Sequence, residues 1–80
     1  MNSTLQKGIY EHYKGKQYEV MDIAVHTETL EKMVVYRALY GDFVLWVRPL
    51  QMFIEYIEIS NKQIPRFKLI SKVKGKEMQL

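Results

Sequence analysis

Residues 34–49, VVYRALYGDFVLWVRP, decide the fold that this chain can adopt. β-branched and aromatic residues fill the stretch on both sides of Gly41 and Asp42, which is typical of two strands joined by a tight turn. Glycine at the first central position suits a two-residue turn of type II′. We therefore expect an antiparallel hairpin in which Tyr40 pairs with Phe43.

A helix competes with the first of these two strands. Over residues 27–39, TETLEKMVVYRAL, apolar residues recur at helical spacing, and Thr27 or Thr29 could cap the helix. The adjacent valines Val34 and Val35 and the tyrosine that follows them favour a strand instead. We expect the strand.

Short strands and turns fill most of the remaining chain. Turn residues recur every 8–12 positions, which predicts a mostly β domain of about five to six strands, either a small strongly bent sheet or an SH3-like barrel. We expect a single small β domain over residues 1–70. Residues 71–80 form a basic C-terminal tail that is expected to be disordered.

Composition narrows the class of protein. The 80 residues include no cysteine and carry a formal net charge of +3, concentrated after residue 60, where six Lys or Arg residues face Glu77 alone. The slightly acidic remainder makes nucleic acid the less favoured partner. Without cysteine, a signal peptide or a long apolar run, the sequence indicates a cytoplasmic protein with no membrane segment.

The predicted hairpin divides its side chains between two faces. We expect the core to contain Val34, Tyr36, Ala38, Leu45 and Val47, with Phe53, Ile57 and Ile59 nearby. On the opposite face, Arg37 lies directly across from Trp46, with Arg48 close by. A planar ring could stack on the indole while the two guanidinium groups hold its phosphate or carboxylate, and Tyr10 and His12 could line the same groove.

A second interpretation of this face remains open. The arginine stems could simply cover Trp46 and keep the sheet soluble. No nucleophile–base set, metal-ligand spacing or glycine-rich phosphate loop is readable, so we expect neither an enzyme nor a metal or cofactor site.

Several segments in order carry a family resemblance. They are GIYEHYKG, YEV, AVHTETLEKMVVYRALYG, LWVRPLQMF and IPRF, within residues 7–68. Together they resemble a family of short bacterial and phage proteins, domain-of-unknown-function family sixteen fifty-three. The resemblance implies a compact β-rich domain with no established reaction, and the basic tail extends past it.

Two functions of different kinds are compatible with these features. The favoured one is a non-enzymatic binding module that holds a small anionic, nucleotide-like ligand at Arg37, Trp46, Arg48, Tyr10 and His12; in a phage it could be a sponge for a signalling nucleotide. The alternative is a protein- or RNA-interaction adaptor. Because one Trp, three Phe and six Tyr exceed what so small a core easily hides, we also expect a homo-oligomer.

Overall fold

The protein is described by a computed structural model over residues 5–72. Seven strands and one helical turn follow one another along the chain. They are β1 (Gly8–His12), β2 (Gln17–Val25), β3 (Lys32–Ala38), β4 (Leu45–Pro49), α1 (Leu50–Phe53), β5 (Tyr56–Ile59), β6 (Lys62–Pro65) and β7 (Phe67–Lys72). The prediction of a mostly β fold is confirmed.

The strands form two antiparallel sheets. Five of them lie in the order β4-β3-β2-β1-β7, and β5 and β6 make a separate hairpin. Of the two shapes predicted, the open sheet is the one that forms, with β4 and β7 at its edges. The register shifts within β2, between Val20 and Asp22, and again between β1 and β7. Such bulges bend a strand and increase its twist.

The turn between β3 and β4 differs from the predicted one. Phe43 donates its N–H to the carbonyl of Tyr40, but Phe43 itself has a φ of +55° and leaves the strand. The ladder ends at Ala38, two residues before the predicted Tyr40, and resumes at Val44, one residue after the predicted Phe43, so Tyr36 lies across from Trp46 rather than Val47. Because side chains alternate between faces, this offset of one residue moves every β4 side chain to the other face.

The segment that could have been a helix is a turn followed by a strand. The N–H of Leu30 bonds to the carbonyl of His26 at 2.8 Å, and β3 begins at Lys32. The strand prediction for this segment is confirmed. Val34 and Val35 are adjacent in the strand and lie on opposite faces, so Val34 is buried whereas Val35 is only half-buried.

The core lies on one face of the five-stranded sheet, beneath α1. Its buried residues are Tyr10, Val20, Val34, Tyr36, Ala38, Phe53 and Phe67. The predictions for Val34, Tyr36 and Ala38 are confirmed. The predictions for Leu45 and Val47 are wrong, since these side chains are 50% and 59% exposed. The shifted register explains both errors.

The last strand runs past residue 70, where the predicted domain ends. Strand β7 extends to Lys72, two residues into the segment predicted as a tail, and residues 73–80 lie outside the described part of the chain. Within residues 5–72, no helix is long and apolar enough to cross a membrane.

Candidate functional site

Phe67 organises the side chains of the candidate site. Its ring is buried and stacks on Phe53, with the ring centroids 4.0 Å apart. Tyr18, Tyr36 and His12 each present an edge-to-face contact to Phe67. Such contacts hold aromatic rings in defined orientations. The start of β7 thus joins residues from β1, β2 and β3.

Arg48 lies above this aromatic cluster. Its guanidinium carbon is 5.5 Å from the centroid of Phe67, and its Nε donates to the hydroxyl of Tyr36 at 3.3 Å. Neither partner is a carboxylate. The ion pairs found within residues 5–72 are Lys7–Asp22 and Arg66–Glu55, so Arg48 has no carboxylate partner there. A half-buried cation without a counter-ion is suited to an anion from outside.

Tyrosine hydroxyls extend the polar side of the cluster. The hydroxyls of Tyr18 and Tyr40 are 2.7 Å apart, and the ammonium group of Lys16 lies 4.6 Å from the centroid of the Tyr40 ring. Burial, followed by the hydrogen bond with Tyr40, raises the pKa of Tyr18 to about 12. The Tyr18 hydroxyl therefore stays protonated at physiological pH and can donate or accept a hydrogen bond.

His12 is the titratable group of the site. Burial lowers its pKa, and the positive charges of Arg48, Arg66 and Lys14 lower it further. Its Nδ1 accepts a hydrogen bond from the backbone N–H of Lys14 at 3.1 Å, so the proton of the neutral ring lies on Nε2. Arg66 is paired with Glu55, through Nε at 2.9 Å among other contacts.

An open groove runs beside His12. Its volume is about 320 Å³, within the range of small-molecule sites. It is lined by Glu11, His12, Tyr13, Ile64, Pro65 and Lys68. The rings of His12 and Tyr13 lie 4.5 Å apart and form an aromatic wall, whereas Glu11 and Lys68 are cross-strand partners. The groove and Arg48 both adjoin His12.

The structure brings together only part of the predicted constellation. Arg48 and His12 both contact Phe67, and Trp46 lies on the same face as Arg48, 49% exposed. Tyr10 is buried and donates its hydroxyl to the carbonyl of Gln6 at 2.6 Å, which makes it a core residue rather than a groove wall.

The predicted pairing of Arg37 with Trp46 is wrong. Arg37 lies across from Leu45 and Glu19, on the face opposite Trp46 and Arg48. Its Nη1 donates to the carbonyl of Phe43 at 3.0 Å, so the side chain braces the β3–β4 turn. The two guanidinium groups therefore do not bracket the indole.

Known proteins place the chain in a family. The family model described as "Protein of unknown function (DUF1653)" matches residues 8–69. The chain belongs to the DUF1653 family. It is similar to the crystal structure of a DUF1653 protein from Bordetella bronchiseptica, with a TM-score of 0.78 and 32% identity over 88% of this chain and 92% of that one. A search of curated proteins found none with significant sequence similarity to this chain.

Sequence reasoning missed several residues of the site in this DUF1653 domain. Tyr18, Tyr40 and Phe67 are far apart in the sequence, and only the pairing of β1 with β7 and of β2 with β3 brings them together. No local pattern reports such contacts. Among residues 5–72, no group of three or more His, Asp or Glu side chains is arranged to hold a metal ion.

Proposed function

We propose that this DUF1653 protein is a non-enzymatic binding module for a small anionic, nucleotide-like ligand. The observation that carries the proposal is Arg48, which the fold holds between Tyr36 and Phe67 with no carboxylate partner in the described range. A planar guanidinium fork in this setting suits a phosphate or carboxylate group.

The charges around His12 support an anionic ligand. Arg48 and Lys14 lie near enough to lower the pKa of His12, and Lys68 lines the adjoining groove. Arg66 is paired with Glu55 and Lys68 lies across from Glu11, so the positive charges that a ligand can engage near His12 are those of Arg48 and Lys14. The neutral His12 ring offers an Nε2 proton as a further donor.

The groove supports a ligand with a flat apolar part. The wall formed by His12 and Tyr13, together with Pro65 and Ile64, is apolar and partly aromatic. A base-like ring could stack there, since aromatic stacking tolerates any planar partner. Trp46, half-exposed on the face that carries Arg48, is a second surface of this kind.

A thermal-shift panel of nucleoside monophosphates, nucleoside diphosphates and cyclic dinucleotides tests the proposal. A compound that raises the melting temperature would then be titrated calorimetrically against wild type, Arg48→Gln and Arg37→Gln. We expect Arg48→Gln to weaken binding by about 1.5–3 kcal/mol, the range for charge-assisted hydrogen bonds. Arg37→Gln is the matched control, because Arg37 lies on the opposite face.

Arg48→Lys separates two modes of binding. Lysine keeps the charge but loses the planar fork, so a bidentate contact predicts a clear loss of affinity and a simple electrostatic contact predicts little. No binding to any member of the panel, or equal binding by wild type and Arg48→Gln, would contradict the proposal. In a phage, such a module in the host cytoplasm would act as a sponge for a signalling nucleotide.

A second candidate function is a protein- or RNA-interaction adaptor. The observation favouring it is the run of exposed apolar and aromatic side chains over residues 43–47, each at least 45% exposed. Exposed aromatic residues can stack on unpaired RNA bases or pack against a protein. Fluorescence anisotropy with single-stranded RNA oligonucleotides distinguishes the RNA form of this function from the binding of free nucleotides.

A further inference from the structure

The two edges of the five-stranded sheet differ in charge. Edge strand β7 carries Lys68 and Lys72, and lysine on an edge strand opposes pairing with another strand. Edge strand β4, LWVRP, has three apolar residues before its one charge, and Leu45, Trp46 and Val47 are 50%, 49% and 59% exposed. The exposed apolar edge of the sheet is therefore β4.

The backbone of β4 has hydrogen-bonding groups directed away from the sheet. Ala38 donates its N–H to the carbonyl of Val44 at 2.9 Å, whereas Leu39 donates to Gln17 of β2 at 3.0 Å. Because an antiparallel strand alternates between its two neighbours, Trp46 and Arg48 bond towards β3. The N–H and C=O groups of Leu45 and Val47 are then directed outward, where a further strand can bond to them.

We infer that β4 pairs antiparallel with the β4 of a second copy of this chain, across a two-fold axis at Trp46. Leu45 of each copy lies opposite Val47 of the other, and their outward groups form four backbone hydrogen bonds. Pro49, which has no N–H, and Phe43, whose φ is +55°, are not needed. The two five-stranded sheets become one continuous ten-stranded sheet.

The charges at the ends of residues 42–48 favour antiparallel pairing with a second copy. Asp42 lies at one end of these residues and Arg48 at the other. Two-fold pairing brings the acidic end of one copy beside the basic end of the other, and Arg48 lies opposite the uncharged Val44. The segment is thus complementary to itself when antiparallel, whereas parallel pairing would align like charges.

The pairing also covers the apolar side chains. On one face, Val35, Val47 and the other copy's Leu45 form a continuous row. On the other face the two Trp46 side chains are neighbours, each flanked by its own Tyr36. Because Arg48 shares that face, the dimer brings two candidate ligand sites side by side. The interface itself needs no ligand, so its test is independent of ligand binding.

Sedimentation equilibrium of the full chain tests the interface. Wild type at micromolar concentration is expected to have the mass of two 9.6 kDa chains. Val47→Lys places a charge on the β4 edge and is expected to give a monomer, whereas Ile70→Lys, at a 46% exposed position on β7, should remain a dimer. A monomeric wild type, a dimeric Val47→Lys or a monomeric Ile70→Lys would overturn the inference.

If a lysine variant fails to fold, amide hydrogen exchange of the wild-type protein tests the β4 interface instead. In a dimer the amides of Leu45 and Val47 are protected, and dilution below the dissociation constant removes the protection. The amide of Trp46 bonds to β3 and stays protected in either state, so it is the internal control. Fast exchange at Leu45 and Val47 at every concentration would refute pairing through β4.

Discussion

Replacing each of two valines by alanine tests the register of the β3–β4 hairpin. Val34 in β3 is 0% exposed, whereas Val47 in β4 is 59% exposed. With the two-residue turn, both would belong to the core. In the observed register only Val34 does. The chemical change is the same at both positions, so the difference in free energy of unfolding reports burial alone.

The structure gives the size of each effect. At about 0.8 kcal/mol per buried methylene-sized group, two groups are worth about 1.6 kcal/mol at a fully buried site. The residual cavity adds to this, so Val34→Ala should lose about 2–3 kcal/mol. Val47 keeps less than half of its surface buried and leaves no enclosed cavity. We expect Val47→Ala to lose about 0.6 kcal/mol.

Urea unfolding followed by circular dichroism measures both losses. A domain of this size has a stability of about 4–12 kcal/mol, so Val34→Ala should remain folded with an unchanged urea dependence. Val25→Ala, at a 55% exposed position in β2, is the matched control. Measurements at several protein concentrations separate any contribution from pairing through β4. Equal losses at Val34 and Val47 would refute the observed register.

Three further predictions follow from single positions. Because the pKa of His12 in the folded protein lies below its ordinary value of 6.5, the free energy of unfolding should be highest above pH 6.5 and fall as the pH drops towards the folded pKa. An NMR titration should show that Arg48→Gln raises the pKa of His12 and that Arg37→Gln does not. Gly8→Ala should lose most of the pairing of β1 with β7, because the new Cβ would overlap the β7 backbone at a φ of +150°; circular dichroism and thermal melting measure the loss. Phe43→Gly should lose less than about 1 kcal/mol in urea titrations although the ring is half-buried, because glycine adopts a φ of +55° without strain; a loss of about 2 kcal/mol or more would contradict this.

The strands could be predicted from the sequence because their signals are local. The alternation of buried and half-buried residues along β3 is visible in VVYRA itself, and the β5–β6 turn is formed by a serine and an asparagine, Ser60 and Asn61, both with positive φ. Residue types and their spacing suffice for such features. The family resemblance, which the match to residues 8–69 confirms, rests on the same local motifs.

The face on which Trp46 and Arg48 lie could not be predicted, because it depends on where the chain leaves β3 and joins β4. A phenylalanine with a φ of +55° is uncommon, and Gly41 made a shorter turn the natural expectation. The contacts around Phe67 could not be predicted for a different reason. They join β1, β2, β3 and β7, and contacts over such separations leave no periodic signal in the sequence.

The β3–β4 turn connects the candidate ligand site with the exposed sheet edge. With the predicted two-residue turn, Arg48 would share a face with Arg37, away from the hydroxyl of Tyr36, and Leu45 and Val47 would be in the core. The shift of one residue instead places Arg48 over the aromatic cluster and exposes Leu45 and Val47. The same offset therefore leaves Arg48 without a carboxylate partner among residues 5–72 and makes β4 an exposed apolar edge strand. Ligand binding at Arg48 and pairing through β4 do not depend on each other, so each requires a separate test.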